Sequence, residues 1–274
     1  MGNLYVFGCS FSFGSHIFQI GKSPVGIFYQ DQFHEYWWGH QVARYLDMNV
    51  HNYAVGGGSN DTVMYRAIRE SINLCEDDVV ILGRTQGDRI SLEPYRHHLY
   101  PKGGTDINRG ITRSLSDDNM AQEFKDRLKK HLSDLMKPAS DEELDILVTN
   151  HLVWYAPDEK AEVYNVFFEK QFQYVGNLLS RTGAKVIVWD YRIWNKFESI
   201  TEWLRNRTIV KQRWKDSHWS PNGNTGFAAF VIDAIQRDEF FINEHHVKTR
   251  KEEIYSKYLH QLLPHVDGNF ELKV

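Results

Sequence analysis

The sequence predicts an α/β fold: a doubly wound, mostly parallel sheet with helices on both faces. Three observations predict it. Short apolar runs of strand length recur along the chain. Segments with apolar residues at helical spacing separate them. The stretches directly after the first three runs are rich in glycine and polar residues, as expected of loops at one rim of a parallel sheet.

Leu4-Tyr5-Val6-Phe7 is the first run, continuous enough to be buried on both faces. Tyr36 to Leu46 follows with helical periodicity, and Val50 to Val55 reads as a second buried strand. Asp61 to Leu74 is helical again, with Asn60 or Asp61 as the expected cap, and Asp78 to Leu82 is the third strand. The alternation then stops for about a hundred residues, in a stretch holding His97-His98, Pro101-Lys102-Gly103-Gly104 and a charged helical run from Ala121 to Leu135. This reads as a largely helical insertion, approximately 95–160, over one end of the sheet.

Lys160 to Ser180 resumes as a long helix stopped near Gly183, and it feeds the fourth strand, Lys185 to Trp189. Asn222 to Ile235 is a final core helix, and Lys248 to Leu263 another that lies outside the repeating pattern. The expected organisation is one domain over 1–240 with a C-terminal helical extension over 241–274. The architecture is a flavodoxin-like three-layer α/β/α sandwich with a mostly parallel sheet.

Composition narrows the functional classes. A length of 274 residues with 42% hydrophobic residues is enough for a substantial core. A net charge of only −4 provides no global field for nucleic acid or an anionic membrane, so neither is expected as a partner. No apolar run approaches the roughly 18 residues that span a bilayer. Two cysteines, Cys9 and Cys75, make no disulfide framework, and the N-terminus lacks the order of a signal peptide, so a reducing cytoplasm is expected. The oligomeric state is not legible.

Ligands of open parallel sheets bind beyond the carboxyl ends of the strands. Gly8-Cys9-Ser10 follows the first strand and makes Ser10 a nucleophile candidate. Far along the chain, Asp216-Ser217-His218-Trp219-Ser220-Pro221 places a carboxylate and an imidazole before a helix, so His218 is the candidate base and Asp216 its orienting group. Gly56-Gly57-Gly58 follows the second strand; glycine lets backbone N–H groups converge on one point, and Gly57 is the candidate oxyanion donor.

These residues together resemble the SGNH or GDSL-like hydrolase family, whose members place serine, glycine, asparagine and histidine in successive blocks. Gly8-Cys9-Ser10-Phe11-Ser12 resembles the first block with cysteine for the usual aspartate, Asn52 to Asn60 the second, and Asp216-Ser217-His218 the last. The third block departs from the pattern: Gly83-Arg84-Thr85 lacks the family asparagine, leaving Thr85 or Gln86 as substitutes at the oxyanion. The Asp-Ser-His-Trp run is also similar to a signature of SGNH-like polysaccharide O-acetyltransferases.

The resemblance implies a serine esterase removing a small acyl group, such as acetyl, from a carbohydrate or small polar ester, with no cofactor and no metal. The alternatives are acetyl transfer by the same triad, and a non-catalytic structural or glycan-binding protein, phage-associated and virion-bound in one version. Asn60, Arg84, Arg89 and Trp219 are candidate substrate contacts.

Plainer readings stand beside these. Ser10 alone could be a turn residue and His218 a cap, and the aromatic richness could serve the core rather than a glycan cleft. Arg84 and Arg89 could be surface charges paired with acids such as Asp88, or could meet an anionic sugar or carboxylate. Cys9 is expected to pack into the sheet. Gly56 to Gly58 matches no phosphate-binding motif, and His97-His98 and His245-His246 lack ligand spacing, so both pairs are expected in solvent.

Overall fold

Five parallel strands in the order β2-β1-β3-β4-β5 form the centre of the computed structural model, which describes residues 2–14, 35–54, 58–85, 159–206 and 218–262. The strands are β1 (Asn3–Phe7), β2 (Asn49–Asn52), β3 (Val79–Arg84), β4 (Lys185–Asp190) and β5 (Phe241–Ile242). The helices are α1 (Ser10–Phe13), α2 (Trp38–Leu46), α3 (Asn60–Glu70), α4 (Glu159–Ser180), α5 (Ile200–Asn206), α6 (Pro221–Arg237) and α7 (Glu244–Leu262). The strand order is the flavodoxin-like one, so the three-layer α/β/α sandwich expected from the sequence is observed.

Alternation along each strand sorts the core into two layers. Leu4 and Val6 of β1, Val79 and Ile81 of β3, and Ile187 and Trp189 of β4 join the apolar face of α6, with α2 beside it on β1 and β2 and α7 packed against α6. Tyr5, Phe7, Val80, Leu82, Val186 and Val188 face the other way, against Val63 and Ala67 of α3 and Phe172, Val175 and Leu179 of α4. Burial on both faces explains why these strands read as continuous apolar runs.

The helix ends follow local chemistry. Ser59 caps α3, its Oγ accepting from Thr62 N–H at 3.3 Å, rather than Asn60 or Asp61, which are already helical. Ser220 caps α6, accepting from Gly223 N–H at 3.0 Å, with Pro221 at the first helical position. After α4, Gly183 turns the chain with φ +91 and admits β4.

Several expectations are corrected. The second strand ends at Asn52, with Tyr53 and Ala54 beyond it, and none of its four residues is buried, because it is the edge of the sheet. The third strand runs two residues past its apolar stretch, to Arg84. The segment after 240 contributes β5, parallel to β4, and α7, whose Val247, Ile254, Tyr258 and Leu262 belong to the core. Buried Asp233 of α6 secures α7 through Arg250 and, at 3.3 Å, Tyr258 Oη. The one-turn α1, the 3-10 stretch Tyr191–Lys196 and α5 were not foreseen. The expected insertion lies outside the described residues as far as residue 158. Among the described residues no helix is long and apolar enough to cross a membrane.

Candidate functional site

The strand order reverses between β1 and β3, which opens a crevice at their carboxyl ends. Both strands reach that rim at a glycine. A Cβ on Gly8 would lie 2.0 Å from Ser12 Oγ, and one on Gly83 would lie 2.4 Å from the same atom and 2.7 Å from Trp189 Nε1. Side-chain-free exits therefore let the chain fold back over the sheet as α1. Its turn is closed by Phe13 N–H donating to Cys9 O at 2.9 Å and by Gly14, at φ +78, donating to Ser10 O.

Ser10 is the first residue of that turn and is half-buried, whereas Cys9 before it is fully buried among core residues, as expected. His218 arrives from the other end of the chain, at the entry to α6. Its carbonyl accepts from Ile200 N–H at 2.8 Å, and Ser220 N–H donates to Glu198 O at 3.0 Å, so the α5 segment holds the backbone on both sides. The imidazole stacks on Phe11, centroids 4.8 Å apart and planes 27° apart. Phe11 also stacks on Trp194 at 4.4 Å. The nucleophile and base candidates thus share Phe11 as a neighbour. Among the described residues Ser10 Oγ makes no hydrogen bond to His218, and such contacts often tighten only with substrate bound. Asp216, Gly57, Gln86 and Arg89 lie outside the described residues.

Asn60 and Thr85 meet beside the same rim. Asn60 Oδ1 accepts from Thr85 N–H at 2.9 Å, and Asn60 Nδ2 donates to Thr85 O at 3.1 Å. Both residues are fully buried, so the Asn60 amide positions the end of β3 rather than meeting a ligand from solvent. Thr85 Oγ1 is buried without a hydrogen-bond partner.

Trp219 is also corrected from substrate contact to anchor. It is 2% exposed, packs against Phe227 at 4.6 Å, and donates its indole N–H to Trp194 O at 2.8 Å. Arg84 is not a surface charge, because β3 extends far enough to carry its side chain into the layer beneath α4. There it pairs with Asp190, at the end of β4, and lies 5.5 Å from the Tyr191 ring centre. Arg192 Nε donates to the same Asp190 oxygen at 3.0 Å, and its backbone N–H to the other at 2.9 Å. Burial pushes the Asp190 carboxyl upward, but the hydrogen bonds from Arg192 and the charge of Arg84 outweigh it and hold the group below its ordinary value.

Arg84, Asp190 and Arg192 line a cavity of about 110 Å³ with Glu169, Phe172 and Asn243 among its walls. Sequence reasoning missed Asp190, Arg192, Tyr191 and Trp194; the available signal was a carboxylate placed directly after the apolar run Lys185 to Trp189. His245 and His246 sit in the first turn of α7, with His245 exposed and His246 half-buried. Among the described residues no cluster of His, Cys, Asp or Glu is arranged to hold a metal ion. His97-His98 lie outside those residues. The chain matches no protein-family model and none of the curated proteins searched.

Proposed function

We propose that the protein is a serine esterase of SGNH type that removes a small acyl group, such as acetyl, from a carbohydrate or another small polar ester. The observation that supports this reading is the stacking of the His218 imidazole on Phe11, the residue after Ser10, with Ser10 following β1 at the strand-order reversal where parallel sheets bind ligands.

In the proposed reaction Ser10 Oγ attacks the ester carbonyl carbon while His218 takes the hydroxyl proton. The tetrahedral intermediate collapses, its C–O bond to the alcohol breaks, and His218 returns the proton to the departing oxygen. Water then attacks the acyl-serine by the same exchange, releasing the acid and restoring Ser10. Asp216 is assigned to orient the imidazole. The backbone N–H groups of Ser10 and Gly57 are assigned to the oxyanion.

The reading is tested by treating wild type and Ser10→Ala with a fluorophosphonate probe and following p-nitrophenyl acetate hydrolysis in parallel. Labelling and turnover confined to the wild type support it; both absent from folded wild type would sink it. That last outcome favours a second reading, a glycan-binding protein on this fold, for which the observation is that Ser10 and His218 are not directly hydrogen-bonded among the described residues. An acceptor sugar in the assay separates hydrolysis from acetyl transfer, because a transferase yields the acylated sugar.

A further inference from the structure

The cavity at the ends of β3, β4 and β5 lies in the layer beneath α4, whereas Phe11 and the aromatic residues around His218 pack in the layer of α6. Four charged side chains meet there in a defined hierarchy. Asp190 accepts from both Arg84 and Arg192, so one buried carboxylate holds two guanidinium groups. Glu169, from α4, is the second anion and a much looser one: its Oε2 stands 3.8 Å from Arg84 and 3.5 Å from Arg192, and its side chain is 54% exposed. The inner pair is structural, and the outer carboxylate is replaceable.

The donors of the cavity exceed what these acids take up. Among the described residues Arg192 Nη1 and the side-chain amide Nδ2 of Asn243 make no hydrogen bond, and both residues line the cavity. A guanidinium presents its N–H groups in a planar fork that matches a carboxylate. The space is several times what a single water needs, so an acid group and its adjoining atoms fit while the rest of a ligand remains at the open side. Phe172 and Phe241 supply apolar wall.

We infer that this cavity is a binding site for a small carboxylate-bearing ligand, whose acid group takes the place of Glu169 on Arg192 and Arg84 while its polar neighbours meet Asn243. Charge selects a carboxylate over a phosphate dianion. Among the described residues two carboxylates face the two arginines, and a monoanion that displaces the outer one keeps that number of charges, whereas a dianion adds one. The site goes beyond the esterase reading and does not depend on it.

Calorimetric titration of D-glucuronate, D-glucose and inorganic phosphate at low salt tests the inference, using wild type and the Ser10→Ala variant so that turnover plays no part. Glucuronate is expected to bind both saturably, and glucose to give no binding heat. Arg192→Met, at a half-exposed position that a stable fold tolerates, should weaken glucuronate about tenfold or more. Glu169→Gln, which removes the competing carboxylate, should strengthen it severalfold. Absence of saturable glucuronate binding, an unchanged affinity in folded Arg192→Met, or tighter binding of phosphate than of glucuronate would each overturn the assignment.

Discussion

Asn60 holds Thr85 by both of its backbone polar groups, accepting from the N–H at 2.9 Å and donating to the carbonyl at 3.1 Å. The pair ties the start of α3 to the end of β3, across the strand-order reversal, with both residues buried. Removing the amide leaves a buried donor and a buried acceptor without partners. Asn60→Ala should therefore lower stability by about 2–4 kcal/mol, seen as a reduced urea midpoint with an unchanged slope. A loss below about 0.5 kcal/mol would show that the loop finds other partners.

Ser10→Ala should abolish fluorophosphonate labelling, and His218→Ala should lower p-nitrophenyl acetate turnover by about 10³-fold or more, with circular dichroism unchanged. Phe11→Leu keeps an apolar side chain but removes the ring on which His218 stacks. If the proposed triad operates, its expected signature is a lower kcat at nearly constant KM, because His218 is displaced without loss of substrate contacts.

Ser12 and Gly83 make a stability test of opposite signs. Ser12 Oγ is buried with no hydrogen-bond partner, so Ser12→Ala sacrifices no hydrogen bond and should be neutral or slightly stabilising. Gly83→Ala places a methyl group against Ser12 Oγ and Trp189 Nε1 and should cost about 1–3 kcal/mol. Thermal melts of the two single variants and the double variant measure this. Relief of the Gly83→Ala penalty by Ser12→Ala is expected, because the hydroxyl is the nearer obstacle.

Asp190 predicts an acid limb in stability. Its folded-state pKa lies below the ordinary 3.8, so its stabilising contribution is fully present above that value and is lost as pH falls through the lower folded-state value. Asp190→Asn should flatten this part of the stability profile. The same variant should be less stable at neutral pH, since buried Arg84 would lose the carboxylate of Asp190. Urea midpoints from pH 2 to 7 give both results.

Much of the architecture was legible because β1, β3 and β4 are buried on both faces and so carry unbroken apolar runs. Edge strands escape that logic. The four residues of β2 are all partly or fully exposed, and the two of β5 are too short for any period. Ser10 and His218 stood out by residue type and by their positions after a strand and before a helix. Asn60 and Trp219 were recognisable as special but not in role, because whether an amide or indole faces solvent or core depends on contacts far away in sequence. The Arg84–Asp190 pair was hidden for the same reason, since two charges more than a hundred residues apart reveal no partnership until β3 and β4 are laid side by side.

The contact between Phe11 and His218 closes a loop of about 200 residues, and its order of assembly follows from that span. A synthesising ribosome releases β1 and Ser10 first, but the imidazole emerges only after four of the five strands, and its seat depends on α5 and α6. Closing so long a loop carries an entropic cost that local helix formation does not, which makes this pairing a late event in folding. A nascent chain therefore carries Ser10 and Phe11 long before His218 is made, and the imidazole meets Phe11 only when the sheet is nearly complete.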